Sequence, residues 1–499
     1  MISRILLIDI ELFSDKNSHT QIWFSHYPIG LLYLASTAKE AFPELEFKVF
    51  HTATSNNPIK DIESLLASFK PNLIGLRAMS RGKDPFKLVA EKIRELRPDV
   101  PIIAGGPYPS TCYDEILLAD MVNMAVIGEG ELTFVDIIGH LMKSPAIPLN
   151  LKGTVVIEQG KVKVNESRPL IQNLDIIPFP DFSLLNLKDY IGFKNQGLQD
   201  VSECAIIFST RGCPYGCFYC HQLFGKRIRR RSAENVVAEM KEHVEKRGIK
   251  NFIFIDDTFN VPMPEAKKIL ALIAQKLPGI RINFPNGFRA DHIDDELIDL
   301  LEQAGTVEMA LAVETAVPRL QKLIGKNLDI DKARKAIDAA SRRFITRTLF
   351  IVGFPTETFE EAMETINFAA SFEYVAQPML SLLRVYNNSR LFDMLEPTQE
   401  QAAQIALQEK NIMHLEMFDD IGFYGDLFSA EKVPLKSNDI KELLSCWMRS
   451  VLINPKRINK SHAIAQNYLN PEEILEFYRN VFDKPLFSEN DLQRLLKLK

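Results

Sequence analysis

The chain has 499 residues, 46% of them hydrophobic and 25% charged, which is the length of about three domains and the composition of an ordinary globular protein. Its net charge of -6 gives no electrostatic reason to expect duplex nucleic acid or an anionic membrane as the main partner, so a small molecule or peptide is the expected substrate. No apolar run approaches the roughly 20 residues that a membrane-spanning helix needs. The opening MISRILLIDIELF runs from one Arg into a strand-like segment carrying acids, without a small-residue cleavage site, and a cytoplasmic chain is expected.

Residues 1–140 alternate short apolar runs with helical stretches: ILLIDI, GLLYLASTAKEAF, NLIGLRAM, PFKLVAEKIREL, VPIIAGG and MVNMAVIG. That alternation predicts an α/β domain with a doubly wound parallel sheet, whose ligands bind at the carboxyl ends of the strands. The loops that follow the apolar runs contain Pro28 and Gly30, then Met79 and Ser80, then Gly105, Gly106 and Pro107, and finally Gly128, Glu129, Gly130 and Glu131. Paired glycines let backbone amides come close to a ligand, although tight turns alone also account for glycines.

Residues 141–200 are rich in Pro and Asn, with one hairpin expected around Glu158-Gln159-Gly160, and read as a connector. Alternation resumes over 201–395, where strands such as CAIIFST, NFIFIDD, VEMALAVET and TRTLFIVGF are separated by helices expected over 232–247, 264–277, 294–303, 329–341 and 358–371. Six strand-plus-helix units predict a parallel barrel or partial barrel with its active site at the C-terminal strand ends. Residues 396–499 lose the strands, and EQAAQIALQEKNIMHLEMF, DIKELLSCWMRSVL and PEEILEFYRNVF read as helices of a C-terminal region.

Just after the first strand of that series stands RGCPYGCFYC, which sets Cys213, Cys217 and Cys220 at C-x-x-x-C-x-x-C spacing. Three thiolates so close together can hold an iron–sulfur cluster, but a four-iron cluster wants four ligands and one iron is left open. An open iron is a place to chelate a small molecule and reduce it by one electron, which points to radical chemistry. A zinc site would need a fourth ligand, for which His221 is adjacent. The remaining Cys112, Cys204 and Cys446 read as scattered core thiols, and six cysteines used in this way suit a reducing compartment.

These residues, with Tyr219 before the last cysteine, resemble the signature of the radical S-adenosylmethionine enzymes. The resemblance implies a partial (β/α)6 barrel, a 4Fe-4S cluster on Cys213, Cys217 and Cys220, and S-adenosylmethionine chelated to the open iron and cleaved to a 5′-deoxyadenosyl radical. It places Tyr219 against the adenine, Asp256 of FIDDTF at the end of the second strand, and Glu314 of AVETA facing the nucleoside. Gly353 and Pro355, with Glu357 beyond them, resemble the fifth-strand turn whose backbone meets the adenine, with Thr356 where a glycine is usual. By the same resemblance an external one-electron reductant, a flavodoxin or ferredoxin, is expected.

The N-terminal loops resemble, in order and spacing, the cobalamin-binding domain that precedes the barrel in one large subfamily. Pro28, Gly30, Met79, Ser80, Gly105, Gly106, Pro107, Gly128, Glu129, Gly130 and Glu131 are the implied cobalamin-binding residues. The Asp-x-His-x-x-Gly motif that supplies a cobalt ligand elsewhere is absent. The implied activity is methyl transfer from cobalamin to an unactivated carbon. Cyclisation or ring contraction with the same parts is the alternative, and a cluster-holding sensor without turnover a more distant one. Substrate contacts are expected from the sixth strand end, at Arg384 and Tyr386, where the Pro-x-x-Gly-Thr pattern of relatives is missing.

Other charged residues have structural readings. The run from Lys226 to Arg231 reads as a solvated or phosphate-neutralising loop, Asp256 and Asp257 as helix caps or partners of those arginines, and Arg289 as half of a salt bridge.

Overall fold

Strand β1 (Arg4–Ile10) shows how the first sheet is built: Leu6, Ile8 and Ile10 face one apolar layer while Ile5 and Leu7 face another, so the run RILLIDI is buried on both sides. The computed structural model describes residues 2–11, 26–193, 201–220, 223–386, 389–411 and 422–481, the side chains near the ends of the last two ranges excepted. The chain divides into two units, Met1–Asn195 with Gln199–Glu203, and Gln196–Leu198 with Cys204–Lys499.

In the first unit β1 is joined by β2 (Glu46–His51), β3 (Leu73–Ala78), β4 (Ile102–Gly105), β5 (Met124–Val126), β6 (Thr154–Glu158) and β7 (Lys161–Val164). The spatial order is β2-β1-β3-β4-β5-β6-β7, parallel from β2 to β5 and antiparallel beyond. Helices Pro58–Phe69 and Lys83–Leu96 cover one face, and Ile29–Ala41 and Glu131–Leu141 cover the other. Truncating a side chain as enclosed as Leu7 to Ala costs about 2–5 kcal/mol, because the lost transfer energy and the cavity add.

The segment read as a connector contributes the β6–β7 hairpin, closed by Gln159 (φ 51°) and Gly160 (φ 74°), and so extends this sheet. It also supplies Tyr190, whose buried hydroxyl meets Nδ1 of His51 at 3.2 Å. The order in which strands are added to the sheet reverses between β1 and β3, which makes the crevice beyond their carboxyl ends the place where such a sheet takes a ligand.

The second unit starts with β8 (Cys204–Ile207) and a two-residue ladder of β9 (Thr210–Arg211) with β10 (Arg229–Arg230). Strands β11 (Asn251–Phe254), β12 (Arg281–Arg289), β13 (Thr306–Glu314), β14 (Ile345–Val352) and β15 (Gln377–Leu382) complete a parallel sheet in the order β8-β11-β12-β13-β14-β15. Spatial order equals chain order, so each crossover adds one neighbour, and β8 and β15 do not pair among the described residues. This is the open, partial (β/α)6 barrel expected from the sequence.

Local signals set its helix ends. Helix Ala233–Arg247 begins at Ser232, whose side chain accepts from Asn235 N–H, and stops at Gly248 with φ 67°. Helix Phe359–Ala370 begins with the capping box of Thr358 and Glu361.

The C-terminal region is helical over Ser437–Trp447, Pro455–Ala465 and Pro471–Val481, while residues 412–418 of the first expected helix lie outside the described residues. Arg457 fastens it: fully buried, it donates to the carbonyls of Val375 and Ala376 at 2.7 and 3.0 Å, just before β15. Burial pushes its guanidinium down to about 10. No helix among the described residues is long and apolar enough to cross a membrane.

Candidate functional site

The loop of Cys213, Cys217 and Cys220 leaves the sheet through β9, and its base is held by Asp256. This carboxylate is buried; its Oδ1 accepts from Ser209 N at 2.9 Å, Ser209 Oγ at 3.1 Å, Thr210 Oγ1 at 2.6 Å and Thr210 N. Its Oδ2 has no partner, and burial raises its pKa despite those bonds. Asp256 therefore fixes the exit of β8.

Cys213 accepts from Thr258 Oγ1 at 3.5 Å, and Cys220 N–H donates to Cys217 O at 3.2 Å. Cys220 is exposed as a residue, yet its thiol is pushed up to about 11, first by burial of the sulfur's surroundings and then by Cys217 and Cys213. Burial likewise raises Cys217, opposed by the charge of Lys326. The three sulfurs thus feel one another. Yet among the described residues no three His, Cys, Asp or Glu side chains converge as a single ion requires. A cubane spreads three ligands over three irons and fits a set of three thiolates. His221, the zinc alternative's fourth ligand, lies outside the described residues.

Above the thiols, Tyr219 packs against Phe354 at 6.0 Å between ring centroids, and Phe218 meets Phe354 edge-on at 6.3 Å. Burial holds the Tyr219 hydroxyl well above its ordinary value, with Glu314 and Cys217 adding to the effect. Glu314, at the end of β13, is buried and paired with Lys326 Nζ at 2.8 Å. Its φ of 71° is a left-handed conformation that costs a non-glycine residue on the order of 1 kcal/mol and persists where the surroundings over-determine it.

The turn after β14 completes this group. Gly353 has φ 92°, and a Cβ there would lie 2.8 Å from the Phe423 ring, so no side chain is tolerated. The carboxylate of Glu357, fully enclosed, accepts from Phe354 N at 2.9 Å and from Gly353 N. Burial pushes its pKa up to about 8 against those bonds, and its Oε1 has no partner. Tyr424 Oη donates to Gly353 O at 2.6 Å. Pro355 is buried beside the turn, and Thr356, at φ 61°, bonds Lys432 O at 3.0 Å.

Arg289 ties these parts together. Its side chain donates to the carbonyls of Lys326 and Asn327 at 2.7 and 3.0 Å, pairs with Asp291 at 2.7 Å, and lies 3.9 Å from the centroid of the Tyr215 ring. The expected salt bridge is present, but nothing in its spacing announced that it also braces the cysteine loop.

Of the sequence-selected residues, the structure brings Tyr219, Glu314, Gly353 and Pro355 into the neighbourhood of the cysteines, and sets Asp256 beneath the loop. Arg384 is half-buried and Tyr386 exposed beyond β15; Asn387 and Asn388 lie outside the described residues. The basic run is mostly internal: Arg231 pairs with buried Glu239, and Arg230 donates to the carbonyls of Phe259, Val261 and Pro262. Only Lys226 and Arg227 of that run are exposed. Lys326, Thr210 and Tyr424 carry no motif signal and were not anticipated.

In the first unit the expected loops gather at the carboxyl ends of the strands. Open space faces Gly30 and Gly128, where a Cβ would meet nothing within 4 Å. Gly106, at φ 89°, leaves room for Arg77, whose Cγ would lie 2.8 Å from a Cβ there. Arg77 donates to both oxygens of buried Asp9 at 2.7 and 2.8 Å, at the crevice between β1 and β3, and to Met79 Sδ at 3.3 Å. Pro28 is buried, Ser80 exposed, and Gly105 and Pro107 half-buried. Glu129 accepts from Ile171 N at 2.8 Å, Gly130 packs on Leu34, and Glu131 is buried. Burial pushes His51 down to about 4, so it is neutral. Polar strand ends around open space are a setting that a large polar cofactor fits.

Comparison with known proteins agrees with this geometry. The Radical SAM superfamily matches residues 207–369, and the B12 binding domain matches residues 20–138. An uncharacterized methyltransferase of Pyrococcus horikoshii is 30% identical over 372 residues, 73% of this chain and 78% of that protein. The anaerobic magnesium-protoporphyrin IX monomethyl ester cyclase of Rubrivivax gelatinosus is 25% identical, over 72% of this chain and 65% of its own length. The solved structure of the radical S-adenosylmethionine methyltransferase TsrM of Kitasatospora setae, with cobalamin and a [4Fe-4S] cluster bound, superposes with a TM-score of 0.65. It covers 81% of this chain and 79% of that one at 19% identity, and so shares the fold.

Proposed function

The chain belongs to the radical S-adenosylmethionine enzymes that carry a B12-binding domain, and from that premise we propose that it transfers a methyl group to an unactivated carbon of a small molecule. Its cofactors are a 4Fe-4S cluster, S-adenosylmethionine and cobalamin. When bound, they supply a carbon-centred oxidant and a homolytic methyl donor, both needed because an sp3 carbon has no lone pair with which to attack a sulfonium.

The observation that carries the reading is the meeting of the cysteine loop with Glu314–Lys326 and the Gly353 turn. Cys213, Cys217 and Cys220 hold the cluster as thiolates, so loading releases their protons. Tyr219 and Phe354 wall the nucleoside with aromatic surface. The Glu314–Lys326 pair places one carboxylate and one ammonium where a zwitterionic amino acid or a ribose is fixed. Glu357 keeps the two amides of the turn aligned, and Tyr424 holds the Gly353 carbonyl through its hydroxyl. In the other unit, the loops at Pro28–Gly30, Met79–Ser80, Gly105–Pro107 and Gly128–Glu131 hold the corrinoid. Arg384 and Tyr386 contact the substrate. A reducing cytoplasm and a flavodoxin- or ferredoxin-type donor suit this chemistry.

The test is anaerobic incubation of the reconstituted protein with S-adenosylmethionine, a reductant and candidate substrates. Equal amounts of S-adenosylhomocysteine and 5′-deoxyadenosine, with a product one methyl group heavier, support methyl transfer. The similarity to a cyclase favours a second reading, in which 5′-deoxyadenosine appears with a product that gains no methyl.

A further inference from the structure

The outer surface of the cysteine loop carries positive charge on a chain whose net charge is -6. Tyr215 and Gly216 lie between Cys213 and Cys217, and Gly216 is bonded directly to Cys217, about 3.8 Å between Cα atoms. Three separate elements bring cations to this loop. Lys226 Nζ donates to Tyr215 O from the far side of the loop, with Arg227 next in sequence. Arg390, opening the helix after β15, donates to Gly216 O at 3.2 Å. Phe218 N donates to Ile324 O at 3.3 Å, which brings the end of helix Pro318–Leu323, with Lys322, beside the loop. Lys226, Arg227, Lys322 and Arg390 are all exposed, and none forms an ion pair among the described residues. Asp393, one helical turn beyond Arg390, is the opposing charge on these elements.

Lys267, Arg319 and Arg343 on the same unit are each matched to carboxylates, whereas among the described residues these four are not. Unmatched like charges repel one another and add nothing to folding, so their value lies in an approaching negative surface. Their position also sets the kind of partner, because the peptide they ring is bonded directly to Cys217.

We propose that the collar of Lys226, Arg227, Lys322 and Arg390 is the docking face for an acidic one-electron carrier protein, which delivers its electron to the cluster through the Tyr215–Gly216 peptide. The inference rests on the cluster assignment made above. In the transfer the carrier is oxidised by one electron and the cluster reduced by one, with no atom exchanged.

The experiment uses the full-length, reconstituted protein and an Arg227→Glu/Lys322→Glu double variant. These two side chains have no partner among the described residues, so their reversal leaves the loop's own bonds intact. Iron and sulfide are measured first, then the rate at which the cluster's electron paramagnetic resonance signal appears with reduced flavodoxin or with photoreduced 5-deazariboflavin, a small neutral donor. The expected result is full iron content, an unchanged rate with deazariboflavin, and a rate with flavodoxin at least tenfold lower in the variant at low salt. The wild-type rate with flavodoxin falls as salt is added, and an Arg227→Lys/Lys322→Arg variant retains it. An iron-replete double variant reduced by flavodoxin at the wild-type rate overturns the docking face alone. A wild-type protein that takes up no cluster overturns the cluster assignment and the docking face with it.

Discussion

The guanidinium of Arg289 lies 3.9 Å from the centroid of the Tyr215 ring while its remaining donors hold the Lys326–Asn327 backbone. One side chain from β12 thus sets both the loop bearing the thiols and the lysine that pairs with Glu314. Replacement by Lys keeps the charge but loses the planar fork and the stacking surface. Arg289→Lys is expected to cost about 2–4 kcal/mol and to lower iron content after reconstitution. Thermal unfolding alongside iron analysis checks both; normal stability with normal iron refutes the bracing role.

Substituting Ala at Cys213, Cys217 and Cys220 together should remove the cluster and leave the first unit intact. The expected protein is folded, lacks iron and sulfide, makes no 5′-deoxyadenosine, and still takes up cobalamin, seen by its visible absorbance. Retained iron at wild-type stoichiometry defeats the ligand assignment.

Glu357 makes stability depend on pH. Its folded pKa is raised from 4.5 to about 8, so in the window between these values the native state holds a proton that the unfolded state releases. Its contribution is fully present below about 4.5 and lost as pH rises through about 8. Glu357→Gln supplies a neutral oxygen to the same amides, so the decline in melting temperature across that window should become shallower. An unchanged slope shows that other groups cause it.

A Cβ at residue 106 meets both an unfavourable φ and the Arg77 side chain. Gly106→Ala is expected to destabilise the first unit by about 1–3 kcal/mol and to lower cobalamin retention on gel filtration, with iron content unchanged. Undiminished cobalamin retention would show that Arg77 and its loop lie away from the corrinoid.

The sequence showed most where periodicity and spacing are local. Apolar runs located both parallel sheets, Gln159-Gly160 marked the hairpin, and three cysteines within eight residues marked the metal loop. The strand-end position of Asp256 was visible but its four contacts were not, because they come from Ser209 and Thr210, 47 and 46 residues earlier. Lys326 was invisible because a lysine beyond a short helix has no motif of its own. It gains meaning only when Arg289 curls its backbone toward Glu314. Likewise the run from Lys226 to Arg231 looked uniformly solvated, since composition cannot tell which arginines fold inward onto carbonyls.

The clasp on Gly353 has a practical meaning for anyone cutting or recombining this protein. Phe423, Tyr424 and Lys432 reach back to a turn that Tyr424 follows by 71 residues, so the last strand is not the end of the catalytic half. A fragment stopped near residue 395 would present a loosened Gly353 turn with an unsatisfied carbonyl, at the place proposed for the nucleoside. A chimera that borrows a relative's helical tail has to bring a matching aromatic clasp, or it will exchange cosubstrate affinity along with substrate choice.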